Sequence, residues 1–127
     1  MRVAIDTSRY SDFNRGEPAV VEVIRNAAAV FLPFVVLGEL RAGFVGGSKA
    51  LANEAILTKI LARPRVQILY ADQETTHHYA ALYHQLRRQG TPIPSNDLWI
   101  AALTVQHGLV LHARDGHFDH LPQIARI

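Results

Sequence analysis

Two hydrophobic patterns alternate along the chain. The first is the short, nearly continuous apolar run: Val3-Ala4-Ile5, Val30-Phe31-Leu32, Val66-Gln67-Ile68-Leu69 and Leu109-Val110-Leu111-His112. Such runs are expected of strands buried on both faces, as in a parallel sheet. The second is a longer stretch with apolar residues three and four apart. Behind Pro18, a good first-turn residue, Val20, Val23, Ile24 and Ala27 predict a helix over 19–28. Residues 34–45 predict another, broken by Gly46-Gly47. Ser48 is placed to cap a helix over 49–62, with a wide apolar face at Leu51, Ala55, Ile56, Leu57, Ile60 and Leu61. Asp72 is the expected N-cap of a helix to 89. Tyr79, Leu82, Tyr83 and Leu86 would be buried, Arg87 and Arg88 suit its C-terminus, and Gly90 ends it. After the rigid connector 91–94, Ser95 or Asn96 is expected to cap a helix over 97–107. Residues 9–17 are polar, 115–118 read as a turn, and 123–127 as a short edge strand.

The resulting order is β-α-α-β-α-α-β-α-α-β, then a turn and a final β segment. Strands separated by helical crossovers predict an α/β protein. The expectation is a single domain over 1–127: a three-layer α/β/α sandwich with a central parallel sheet of four to five strands.

That order has a chemical consequence. Asp6 ends the first strand, so it lies at the C-terminal edge of the sheet, where open α/β sheets place ligands. Glu39 lies about one turn into the helix leaving the second strand. Asp97 opens the helix that feeds the fourth strand, and Asp115 follows that strand. Four acids distant in sequence are therefore expected at one edge. Clustered carboxylates raise one another's pKa and are costly to desolvate. A divalent cation resolves the conflict, and all-oxygen ligands suit Mg²⁺ or Mn²⁺. Such a site activates water and offsets charge on a phosphoryl oxygen, so metal-assisted phosphodiester hydrolysis is the predicted chemistry.

Composition narrows the setting. Cysteine is absent, which removes disulfides and thiolate metal sites and fits a cytoplasmic protein. No apolar run approaches a membrane span, and the start of the chain, with one Arg and a three-residue apolar run before Asp6, is not expected to be a signal peptide. The net charge of +2 is uninformative by itself. With four of the 11 acidic residues gathered in one site, however, the remaining surface carries 13 basic residues against the other seven acids. Such a surface favours a polyanion.

Four segments now carry a family likeness: IDTSRYSDF near the start, LGEL around Glu39, SNDLWIAA around Asp97, and LHARDGHFDHLPQI at the end. In this order and spacing the chain resembles the PIN-domain ribonucleases, specifically the VapC-like toxins of prokaryotic toxin–antitoxin pairs. The resemblance spans essentially the whole chain. It implies a Mg²⁺- or Mn²⁺-dependent endoribonuclease with Asp6, Glu39, Asp97 and Asp115 as the acidic quartet. Asp6, Asp97 and Asp115 would ligate directly and Glu39 through water. By the same likeness, Ser8 would orient the first carboxylate or a water, Asn96 would support Asp97, and Asp119 would be an extra acid. RNA would be the substrate. A cognate antitoxin would cover the site, and a homodimer is expected.

The resemblance leaves Arg9 undecided between the site mouth and the plain surface. His117 and His120 are expected to be structural or RNA-facing, because the acids alone supply a hard-metal site. Part of the apolar face of 49–62 would meet the antitoxin or a second subunit, or simply pack on the sheet. Two other classes fit the residues. One is a PIN-type nuclease in RNA processing without a toxin role. The other is a non-catalytic, Mg-binding receiver-like signalling domain.

Overall fold

A computed structural model describes residues 1–127. Strands β1 (Arg2–Ile5), β2 (Ala29–Pro33), β3 (Val66–Leu69) and β4 (Val110–His112) form one parallel sheet in the order β3-β2-β1-β4. The crossovers are helical pairs: α1 (Thr7–Asn14) with α2 (Pro18–Asn26), α3 (Phe34–Gly46) with α4 (Ala50–Leu61), and α5 (Gln73–Gln89) with α6 (Ser95–Gln106). A short 3₁₀ turn, Gly116–His120, follows β4. The expected α/β/α architecture is therefore present, with four strands.

The strands divide as their apolar content requires. In β1, Val3, Ala4 and Ile5 are all buried, and in β2 so are Val30 to Pro33. These are the two central strands. At the β3 edge Gln67 is exposed, so one polar residue in that run is tolerated. The pairing of β1 with both neighbours aligns Val3 with Val30 and with Val110, and Ile5 with His112. Three strand ends therefore reach the same edge together. Helix α6 is buried from Leu98 through Thr104 except at Trp99, and the Trp99 ring packs on Tyr79 of α5 with ring centroids 4.3 Å apart. Helices α3 and α4 are tied by Arg41, which donates two hydrogen bonds to Glu54 (2.8 and 3.2 Å).

Five local expectations change, the simplest being Tyr83, which is exposed on α5 and not buried. The stretch after Asp6, read only as polar, holds helix α1, the first of the two helices that the predicted order sets between β1 and β2. Its weak apolar periodicity hid it, yet the Asp6 carboxylate accepts from the Arg9 backbone N–H (2.8 Å) and caps it, and Tyr10 and Asp12 are its buried residues. Helix α6 begins two residues earlier than expected, at Ser95, because the Pro94 carbonyl already accepts from the Leu98 N–H (3.0 Å). Pro94 is thus the N-cap, and Ser95 and Asn96 lie inside the first turn with no side-chain cap. Lys49, not Ser48, precedes α4, and its carbonyl accepts from Asn53 (2.9 Å). Residues 123–127 form only an isolated parallel bridge, Leu111 with Arg126. There the Leu111 N–H donates to the Ala125 carbonyl (2.8 Å) and the Ile127 N–H to the Leu111 carbonyl (3.1 Å), while the Arg126 guanidinium turns back onto the Ala113 and Asp115 carbonyls (2.7 and 3.2 Å).

Candidate active site

The C-terminal edge of the sheet is built from the ends of β1, β2 and β4 and the start of α6. Asp6 follows β1 directly and is 6 % exposed. Its position is fixed twice: the chain leaves a buried strand at Ile5, and the carboxylate then caps α1. Burial pushes its carboxyl above the usual carboxylate range. The backbone N–H groups of Arg9 and Arg114 and the charge of Arg9 oppose that rise, while the Asp97 carboxylate adds to it. Asp6 and Asp97, 91 positions apart in sequence, thus feel one another across the sheet edge.

Asp97 and Asp115 meet at His117. The His117 ring Nδ1 lies 2.7 Å from Asp97 Oδ2 and 3.0 Å from Asp115 Oδ1, so an Nδ1–H group donates between the two carboxylates. The His117 backbone N–H also donates to Asp115 Oδ1 (2.9 Å) and caps the 3₁₀ turn. One ligand atom from each of Asp97, Asp115 and His117 lies within 4.8 Å of the others. His117, expected to be structural or RNA-facing, lies inside the acid cluster, where its contacts to Asp97 and Asp115 are structural. The signal was the Asp-Gly-His spacing, which a tight turn folds back on itself. Glu39 stands at the rim, exposed on α3, and is held by the Thr7 hydroxyl, which donates to Glu39 Oε1 (2.8 Å).

The supporting residues sort unevenly. In the turn after Asp6 the side-chain contact to the quartet comes from Thr7; Ser8 lies half-buried one position on. Asn96 is exposed in the first turn of α6, beside Asp97 in the chain. Asp119 is not in the cluster: it is exposed and pairs with Arg126. His120 is exposed, and its carbonyl accepts from Gln89 (2.9 Å). Sequence reasoning missed Asp12. It is 3 % exposed and binds the guanidinium groups of Arg9 (3.2 Å), Arg114 (3.4 Å) and Arg15. The Arg9-Asp12-Arg15 spacing of three was its available signal, since residues three apart are neighbours on a helix.

The donor set fits a divalent ion. Two partly buried carboxylates, Asp97 and Asp115, converge, with a further buried carboxylate whose burial no side-chain ion pair compensates. Like charges so arranged favour a cation between them.

Known proteins place this chain in a family. The model of the PIN domain family matches residues 3–124. The ribonuclease VapC4 of Mycobacterium tuberculosis is 32% identical over 90 residues, covering 71% of this chain and 69% of that protein. The ribonuclease VapC1 of Haemophilus influenzae is 34% identical over 83 residues, covering 64% of this chain, and the chain spans only 60% of that relative's length. Among solved structures, VapBC-1 from nontypeable Haemophilus influenzae aligns with a TM-score of 0.87 at 23% identity, over 100% of this chain and 97% of that one, a likeness of fold. A receiver-like signalling domain is thereby set aside, and the chain belongs to the PIN domain family and is VapC-like.

Proposed function

We propose that the chain is a Mg²⁺- or Mn²⁺-dependent endoribonuclease that hydrolyses RNA phosphodiester bonds as the toxin of a toxin–antitoxin pair. The observation that carries this is the convergence of Asp97, Asp115 and His117 beside buried Asp6, at the ligand-binding edge of the sheet. Asp6, Asp97 and Asp115 would hold the ion, with Glu39 reaching it through water. When bound, the metal supplies Lewis acidity to a phosphoryl oxygen and acidity to a coordinated water. The rest falls to the chain. Asp6 is held in place by its capping bond, so its carboxylate is pre-oriented before substrate arrives. Thr7 fixes the direction of Glu39. His117 holds its proton at Nδ1 against Asp97 and Asp115, keeping the two carboxylates together while they carry like charge. Glu39 stays in contact with solvent at the rim, the side from which a single strand can enter.

The toxin role draws on the family likeness and on one surface. Val45 is 82 % exposed and Leu51 90 % exposed where α3 meets α4, and Ile56 is exposed further along α4. Only Leu57 of α4 is fully buried. The wide apolar face of this helix is therefore more than the sheet uses, which supports a cover by the antitoxin or by a second subunit. A role on RNA also suits a cytoplasmic protein. Cysteine is absent, and no helix is long and apolar enough to cross a membrane.

The test is cleavage of total RNA by protein freed of antitoxin, with Mg²⁺ or Mn²⁺ and with chelator, beside Asp97→Asn. Metal-dependent cleavage is expected from the unmodified chain. A loss of at least ~100-fold is expected from the folded variant. Equal cleavage by both would remove Asp97 from the mechanism, and metal-independent cleavage would remove the ion.

A further inference from the structure

We infer that Asp12 and the three arginines around it form a phosphate-binding site for the RNA backbone, flanking the acid cluster. The inference rests on the ribonuclease reading of that cluster.

The charge balance comes first. One buried carboxylate faces three guanidinium groups, Arg9, Arg15 and Arg114, so the group carries two more positive charges than it needs. Guanidinium stays protonated at any working pH, so the surplus is permanent. A structural ion pair needs one cation. Additional exposed guanidiniums contribute little to stability, because solvent screens them. Arg15 and Arg114 are more than half exposed along their side chains, at 58 % and 57 %. Each has five N–H donors and uses one on Asp12, so most of the donors face water. The Nε of Arg9 is buried without a partner.

Position comes second. The residues that hold Asp6 through their backbones also hold Asp12 through their side chains. The Arg9 N–H donates to Asp6 Oδ1 (2.8 Å), and the Arg114 N–H also faces the Asp6 carboxyl. Arg114 immediately precedes Asp115. The arginine group therefore borders the acid cluster directly. Asp12 is the positioning residue: it gathers flexible side chains from α1 and from the loop after β4 into one array. A planar fork presented this way suits the paired oxygens of a phosphate. An RNA strand with one phosphate at the acids would set a neighbouring phosphate against this array. The array would also offset the repulsion that four acids impose on an approaching polyanion.

The test uses the Asp97→Asn chain, so that RNA is bound and not consumed, with fluorescence anisotropy of a labelled single-stranded RNA across a salt series. Adding Arg15→Ala and Arg114→Ala should weaken binding at least tenfold. It should also lower the slope of log affinity against log salt by about one for each arginine removed, scaled by ~0.7 for a single strand. Arg25→Ala, at the end of α2 on the opposite edge of the sheet, should stay within about twofold. Equal effects of the Arg25 and Arg15/Arg114 changes would overturn the inference, because the attraction would then be diffuse. Inorganic phosphate in place of competitor RNA should displace the probe no better than sulfate at equal ionic strength. Full displacement by phosphate alone would make the array a free-anion site and overturn the RNA assignment. The unmodified chain's own cleavage assay keeps the two readings apart: cleavage with unchanged binding by the arginine variants would sink only this inference.

Discussion

Two buried acids six positions apart have opposite surroundings. Asp12, in the body of α1, is ringed by three guanidinium groups. Asp6, at the cap of the same helix, has no side-chain ion pair: backbone N–H groups hold it, and the charges of Arg9 and Asp97 act on it in opposite directions. Burial of a charge is expensive in both places. At Asp12 the protein compensates it with its own side chains. At Asp6 it leaves the compensation incomplete, and the carboxyl is pushed above its ordinary range. The difference separates a carboxylate that organises cations already present from one that awaits a cation from outside.

The comparison can be broken most strongly at Asp12. Asp12→Asn removes the charge that gathers Arg9, Arg15 and Arg114, and should destabilise the fold by about 1–2 kcal/mol in urea unfolding. The value stays modest because two of the three arginines can turn into water. An unchanged midpoint would mean that the array is held by something other than Asp12.

A smaller effect, of opposite sign, is expected at Asp6 in metal-free protein. Asn caps a helix as well as Asp, so Asp6→Asn keeps the bond to Arg9 while removing the buried charge. Its melting temperature near pH 7 should exceed that of the unmodified chain. Because the folded-state pKa of Asp6 is raised, the penalty is full above that pKa. It is relieved as falling pH protonates the group in both states, so the advantage of Asn should fade on acidification. Asp6→Ala should fall below Asp6→Asn by ~1 kcal/mol, the worth of the cap. If Asn lowered the metal-free melting temperature at neutral pH, Asp6 would be as well compensated as Asp12.

The smallest expected effect is at His112, which feels Asp6, Asp12 and Arg9 together. The Ile127 carbonyl accepts from its Nδ1–H (2.9 Å), and its buried Nε2 has no partner. Burial lowers its pKa. The unfolded chain therefore binds the proton more readily than the folded one, so stability is present above the ordinary histidine range. It is lost as pH falls from about 6.5. Unfolding followed from pH 7.5 to 5 should show this slope, and His112→Asn, which retains a donor for the carbonyl, should flatten it. A slope unchanged by the substitution would assign the effect to another group.

How legible each part was follows from what fixes it. The strands were readable because Val3-Ala4-Ile5 and Val30-Phe31-Leu32 must lose water on both faces. The shared edge of Asp6, Glu39, Asp97 and Asp115 was readable because the order of elements alone sends all four there. The bounds of helix α1 were not readable, because its only strong signal is a cap and its buried residues are one Tyr and one Asp. The caps of α4 and α6 were misplaced for a related reason. A backbone carbonyl, which every residue has, can start a helix before the side chain that looks like the cap.

What the sequence by itself determined is the periodic part: where apolar residues recur, which elements form, and hence which end of the sheet receives the acids. Hydrophobic burial acts on every residue type in the same way, so it can be read one residue at a time. Only the tertiary structure decided the partners. It set His117 between Asp97 and Asp115, gave Asp119 to Arg126, hung Glu39 on Thr7, and closed three arginines around Asp12. Those choices depend on directions and distances of a few ångströms between segments up to about a hundred residues apart. A buried polar group is stabilised by a partner within hydrogen-bond reach and costs free energy without one, and no local pattern records which partner arrives.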